Sequence, residues 1–115
     1  PLNSAVEQAG NLAGFTLGLH ANDFELLGRS MVDLFAEPIR AELIPGYHGV
    51  RNAAIDAGAI GSGISGSGPS LFALSDSEEK AESIGKAMVK AFKKVGLKSR
   101  TFSSPIHSIP PEILD

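Results

Sequence analysis

The run Gly61-Ser62-Gly63-Ile64-Ser65-Gly66-Ser67-Gly68-Pro69-Ser70-Leu71-Phe72-Ala73-Leu74 constrains the fold of this chain most strongly. It places four glycines in eight residues and then passes directly into an apolar run. Glycine lets the backbone reach φ > 0 and lets other groups approach it closely. A row of free backbone N–H groups in such a loop makes an anion cradle. Residues 61–66 match G-x-G-x-x-G letter for letter, but dinucleotide binding needs a strand before the glycines and a helix after them. Here residues 47–57 read as a short helix, and Ser70 to Ser75 read as a strand, so the order is reversed. No Gly-Lys-Ser/Thr ends the run, which excludes a Walker-type phosphate loop. The pattern predicts a hairpin, with strands at 59–65 and 70–75 joined by the glycine-rich turn. A hairpin turn needs only one or two glycines, and the surplus indicates that something packs closely on the backbone.

The flanking segments read mainly as helices. Leu2, Ala5, Val6, Ala9, Leu12, Ala13, Thr16, Leu17 and His20 recur at helical spacing, so residues 2–20 form an amphipathic helix. Its small residues Ala9, Gly10, Ala13 and Gly14 imply close packing on a neighbour. Asn22 with Glu25 is an N-cap pair for a second helix, with Phe24, Leu27, Met31, Leu34 and Phe35 on its apolar face. Pro38 and Pro45-Gly46 break the chain. A long helix follows the hairpin at 77–95, capped by Asp76 or Ser77. Glu78 and Glu79 lie in its first turn, and Lys93 and Lys94 in its last, as the helix dipole favours. Residues 98–103 read as a further strand with Arg100 and Phe102 on one face. The tail with Pro105, Pro110 and Pro111 reads as extended.

This order gives an α+β fold, an antiparallel sheet packed with helices. It is most of a ferredoxin-like βαββαβ plait with its first strand missing. An edge left uncovered in that way invites pairing with another chain, so a homo-oligomer is expected. The length suits one domain, residues 1–115, and the start on a helix pattern is that of a domain cut from something longer. The net charge of −3 disfavours a nucleic-acid partner. With no cysteine there is no disulfide framework and no thiolate zinc site. No apolar run approaches the roughly 20 residues that a membrane helix needs, and no signal peptide is evident. A cytoplasmic protein without a membrane partner is the expectation. His20, His48 and His107 are scattered without metal-ligand spacing, which predicts no metal site.

The glycine run, from Gly61 to Leu74, resembles the C-terminal motif of the GHMP kinases. A second segment, Asp33-Leu-Phe-Ala-Glu37-Pro38-Ile39-Arg40-Ala-Glu-Leu43-Ile44-Pro45-Gly46-Tyr47, is similar to the homoserine-phosphorylating branch of that superfamily in its Glu-Pro-x-Arg and Leu-Ile-Pro-Gly-Tyr. The resemblance covers nearly the whole chain. It implies the ferredoxin-like C-terminal domain of an enzyme that moves the γ-phosphate of ATP to the hydroxyl of L-homoserine, in threonine biosynthesis. It also implies an N-terminal domain that carries the P-x-x-x-G-L-G-S-S loop and binds most of the ATP and Mg²⁺. No such segment occurs between Pro1 and Asp115, so this chain alone is expected to be inactive.

Arg40 matches the arginine that binds the substrate carboxylate in that branch. A guanidinium is a rigid fork suited to a carboxylate. Its alternative is a surface salt bridge with Glu37, worth less than about 1 kcal/mol. Glu37 is expected to position Arg40 by that salt bridge. Ser65, Gly66, Ser67 and Gly68 are implied to support the phosphate loop of the other domain, with direct phosphate contact as the alternative. No catalytic base is assigned. Two other readings stay open: a different GHMP kinase, and a free-standing plait that binds an effector or serves assembly.

Overall fold

In the computed structural model, which describes residues 1–114, α1 runs Leu2–Ala21, close to the span its apolar spacing predicts. It ends where Asn22 turns left-handed at φ 52°, a conformation asparagine tolerates, and the Asn22 N–H reaches back to the Gly18 and Leu19 carbonyls. Asn22 therefore closes α1 and does not cap the next helix. That cap is Asp23, whose Oδ1 accepts the Leu26 N–H at 3.0 Å. Helix α2, Phe24–Ser30, stops short of the predicted apolar face at Leu34 and Phe35, because the amides beyond Met31 are taken up by side chains instead.

The two helices meet through glycine. A Cβ on Gly18 would lie 2.8 Å from the Leu27 backbone nitrogen, and one on Gly14 would collide with the Ser30 hydroxyl. The close packing expected of the small residues is thus real at Gly14. Gly10 has open space around it, and Ala9 and Ala13 are exposed. The apolar stripe that includes Leu12 and Leu17 faces outward, with Leu12 67% exposed.

Helix α3, Glu37–Arg40, passes into a 3-10 turn at Ala41–Leu43, and Gly46 at φ 77° opens α4, Tyr47–Asp56. Ala41, Ile44 and Tyr47 form the centre of the core, with Ile64, Leu71 and Phe92 packed on it. Val50 and Ala54 extend it along the inner face of α4. The Pro45-Gly46 break thus lets two short helical segments present apolar residues to one interior.

The hairpin forms as predicted. Strand β1, Gly61–Ile64, pairs antiparallel with β2, Leu71–Leu74, in the register Gly61↔Leu74 to Ile64↔Leu71. Residues 61–63 are buried, and their own fold explains part of the glycine surplus. Met31 occupies the space where a Gly61 side chain would stand, and the Phe72 ring lies 3.3 Å from a Cβ built on Gly63. Helix α5, Glu78–Lys94, starts at Ser77, whose hydroxyl accepts the Lys80 N–H at 3.3 Å. It packs against α4 and β2.

The expected strand at 98–103 does not form. Among the described residues the sheet has two strands, and this segment makes no backbone–backbone hydrogen bond. A strand exists only beside a ladder partner, and none lies next to it here. The segment still lies on α5, where Thr101 Oγ1 would be 2.6 Å from a Cβ on Gly85, and Arg100 stacks 5.6 Å from the Phe102 ring centroid. The α+β class and the antiparallel sheet packed with helices are as expected, with one strand fewer. No helix among the described residues is long and apolar enough to cross a membrane.

Candidate functional site

The segment before α3 is organised by side chains. Asp33 Oδ1 accepts the Phe35 and Ala36 N–H groups at 2.8 and 2.9 Å, and its Oδ2 accepts the Glu37 N–H at 3.1 Å. Gln8 Oε1, from α1, accepts the Leu34 N–H at 2.9 Å. Burial by itself raises the Asp33 pKa, but the hydrogen bonds from Ala36, Phe35 and Glu37, with the charge of Arg40, outweigh it and hold the carboxyl below its ordinary value. Asp33 is therefore ionised throughout the neutral range.

Helix α3 then carries Arg40 in its last turn. Arg40 Nη1 donates to the Gly66 carbonyl at 2.8 Å, across 26 residues of sequence. The two strongest sequence candidates thus lie together. The turn they share is closed by the Gly68 N–H to the Ser65 carbonyl (3.1 Å) and by the Ser65 N–H to the Ser70 carbonyl (2.8 Å). Gly66 and Gly68 have φ of 60° and 77°, a region that disfavours side-chain-bearing residues. Ile44 lies 3.1 Å from a Cβ built on Gly68, whereas Gly66 has open space around it. The N–H groups of Gly66 and Ser67 have no hydrogen-bond partner among the described residues, and Ser65, Gly66 and Ser67 are exposed. Two free amide donors and a guanidinium therefore share one exposed corner, an arrangement for an anion.

Glu37 does not position Arg40 in the way expected. Its carboxylate faces Arg51 of α4, Oε1 to Nε at 3.8 Å, and Oε2 lies near Gly63 of β1. Among the described residues no carboxylate lies within salt-bridge distance of Arg40. Arg40 instead reaches toward the turn, which leaves Glu37 to the cation on the neighbouring helix. The buried Tyr47 hydroxyl completes this cluster. Its pKa is raised by burial first and by the Glu37 carboxylate second.

The roles of Asp33, Gln8 and Arg51 were not assigned from sequence. Asp33 carried a usable signal, a short acid four residues before a Glu-Pro helix start. Arg51 and Gln8 carried none, because their partners lie 14 and 26 residues away. Among the described residues no three His, Asp or Glu side chains converge to hold a metal. The corner fits an anion and offers no donor set for Mg²⁺.

Residues 15–94, which span both Arg40 and the glycine turn, match the family model described as GHMP kinases C terminal. The chain belongs to the GHMP kinase family. Relatives of this GHMP kinase domain include the homoserine kinase of Chloroherpeton thalassium, 53% identical over 106 residues, which covers 91% of this chain and 33% of the relative. The homoserine kinase of Arabidopsis thaliana is 45% identical over 97 residues, covering 84% of this chain and 26% of the relative. The crystal structure of homoserine kinase from Cytophaga hutchinsonii superposes with a TM-score of 0.80 at 55% identity, over 83% of this chain and 30% of that one. This GHMP kinase chain thus spans about a third of the length of the relatives it matches.

Proposed function

We propose that this chain is the C-terminal part of a homoserine kinase, which transfers the γ-phosphate of ATP to the L-homoserine hydroxyl. The observation that carries this reading is the Arg40–Gly66 hydrogen bond, which sets a guanidinium fork beside the glycine turn. Relatives named homoserine kinase support the choice of substrate. Phosphoryl transfer depends on positioning and on charge stabilisation. Arg40 binds the homoserine carboxylate bidentately through its remaining N–H donors, which turns the hydroxyl toward the phosphate. Ser65, Gly66, Ser67 and Gly68 shape the wall against which the nucleotide phosphates are held, with the Gly66 and Ser67 amides directed to anionic oxygen. ATP and Mg²⁺ are held mainly by an N-terminal domain, and the enzyme works in the cytoplasm.

The test is ATP consumption by the full-length protein. L-homoserine is expected to drive it. 3-Aminopropan-1-ol, which has the same hydroxyl arm and amine but lacks the carboxylate, is expected to fail because it leaves Arg40 without a partner. Equal turnover of the two compounds removes Arg40 from substrate binding. Turnover of mevalonate or galactose with none of L-homoserine moves the chain to another branch of the family.

The outer edge of β2 has no ladder partner among the described residues, and the apolar stripe of α1 is exposed. We propose that the N-terminal domain covers part of this surface and that the isolated chain self-associates through the rest. Sedimentation of the 115-residue chain is expected to show species larger than a monomer that grow with concentration. A single monomer boundary at high concentration removes self-association.

A further inference from the structure

We propose that Asp33 is a positioning residue for substrate binding, acting on Arg40 through the backbone of residues 34–37. The inference rests on the reading of Arg40 as the carboxylate fork. Helix α3 is four residues long, far below the length at which a helix is stable alone. Its N-cap residue, Ala36, supplies no side-chain cap, and Pro38 has no N–H. The arm that carries Arg40 therefore has little order of its own. Side chains supply it. Four successive N–H groups, 34 to 37, are bound by Gln8 (one) and Asp33 (three).

Ala36 is the link. Its N–H is held by Asp33 at 2.9 Å, and its carbonyl accepts the Arg40 backbone N–H at 3.0 Å. Loss of the Asp33 carboxylate frees three amides at once and removes the anchor from the residue that Arg40 hangs on. The guanidinium at the far end then loses its fixed place beside Gly66. Asp33 makes no hydrogen bond to the glycine turn, so beyond the attraction between its charge and that of Arg40 its hold on the guanidinium passes through the arm.

The experiment is steady-state kinetics on the full-length kinase with Asp33→Ala, Asp33→Asn, Arg40→Ala and the Asp33→Ala/Arg40→Ala double variant. Asp33→Ala is expected to raise KM for L-homoserine about tenfold, with KM for ATP within about twofold of wild type. Asparagine can still accept from Phe35 and Ala36 but gives up the carboxylate oxygen that binds Glu37. Asp33→Asn should therefore recover most of the loss and settle at about a threefold rise. On the Arg40→Ala background Asp33→Ala should add less than about twofold, because there is no longer a fork to place. An unchanged homoserine KM in the folded Asp33 variants, with that of Arg40→Ala raised, overturns the proposal, as does full additivity in the double variant. If Asp33→Ala fails to fold, Asp33→Asn decides by the same KM. An unchanged KM in Arg40→Ala itself defeats the carboxylate reading, a different failure from the first.

Discussion

Arg40→Ala in the full-length kinase is expected to raise KM for L-homoserine about 100-fold. In the proposed complex the guanidinium makes two charge-assisted hydrogen bonds to the substrate carboxylate, together worth about 3 kcal/mol. That energy corresponds to roughly two powers of ten in binding. KM for ATP should stay close to the wild-type value. The fall in kcat depends on how far the loosened substrate leaves its aligned geometry, and a loss of about tenfold is expected. Arg40→Lys is the informative companion. Lysine keeps the charge but lacks the planar fork, and it cannot hold a carboxylate bidentately while donating to the Gly66 carbonyl at the same reach. It should fall between the wild type and alanine, at about a tenfold rise. The fold should survive both changes, since Arg40 is only half-buried and its one side-chain hydrogen bond among the described residues is to an exposed turn. A homoserine KM within twofold of wild type in a folded Arg40→Ala enzyme defeats the proposed role.

Gly66→Val is the second large effect. Gly66 sits at φ 60°, and a β-branched residue there is a steric outlier. An ordinary side chain in this region costs about 1–2 kcal/mol, and valine more. Nothing lies within 4 Å of a Cβ built on Gly66, so the cost comes from the backbone and not from a collision. The turn escapes it by changing conformation. That move takes the Gly66 carbonyl away from Arg40 and redirects the free Gly66 and Ser67 amides. Activity should drop by more than about 100-fold, because both proposed anion-binding elements shift together. The domain should remain folded, with its circular-dichroism spectrum intact, since no core residue leans on Gly66. Gly66→Asn separates the two explanations. Asparagine tolerates the left-handed region, so it should keep most of the activity while adding a side chain to the same open space. Equal loss in the valine and asparagine variants points to crowding at the site instead. A valine variant that unfolds makes the glycine a plain hairpin requirement.

The local elements of this chain were legible because their determinants lie within a few residues of one another. Apolar spacing placed α1 and α5, the Pro45-Gly46 break marked the start of α4, and Ser77 with its following acids marked where α5 begins. The glycine run between two apolar stretches placed β1, its turn and β2. Even the error at Asn22 was a local one, a choice between adjacent residues that both suit helix ends. Arg40 and the glycine turn were each recognisable as candidates from residue type and motif.

Their meeting was not legible. The Arg40–Gly66 bond joins residues 26 apart in the chain, and no local rule encodes that approach. Glu37 and Arg40 stand three apart on one helical turn, a spacing that ordinarily favours an ion pair. Tertiary packing offered each a different partner, Arg51 for one and the turn carbonyl for the other. The segment at 98–103 has strand-like residues but no neighbour to pair with, so its sequence alone could not make it a strand. Sequence by itself thus determined the helices and the hairpin and which residues are candidates for the chemistry, since turns, caps and periodicity act over a few bonds. Tertiary structure alone decided which charges pair and which amides stay free, because those choices depend on distances through space that chain order does not set.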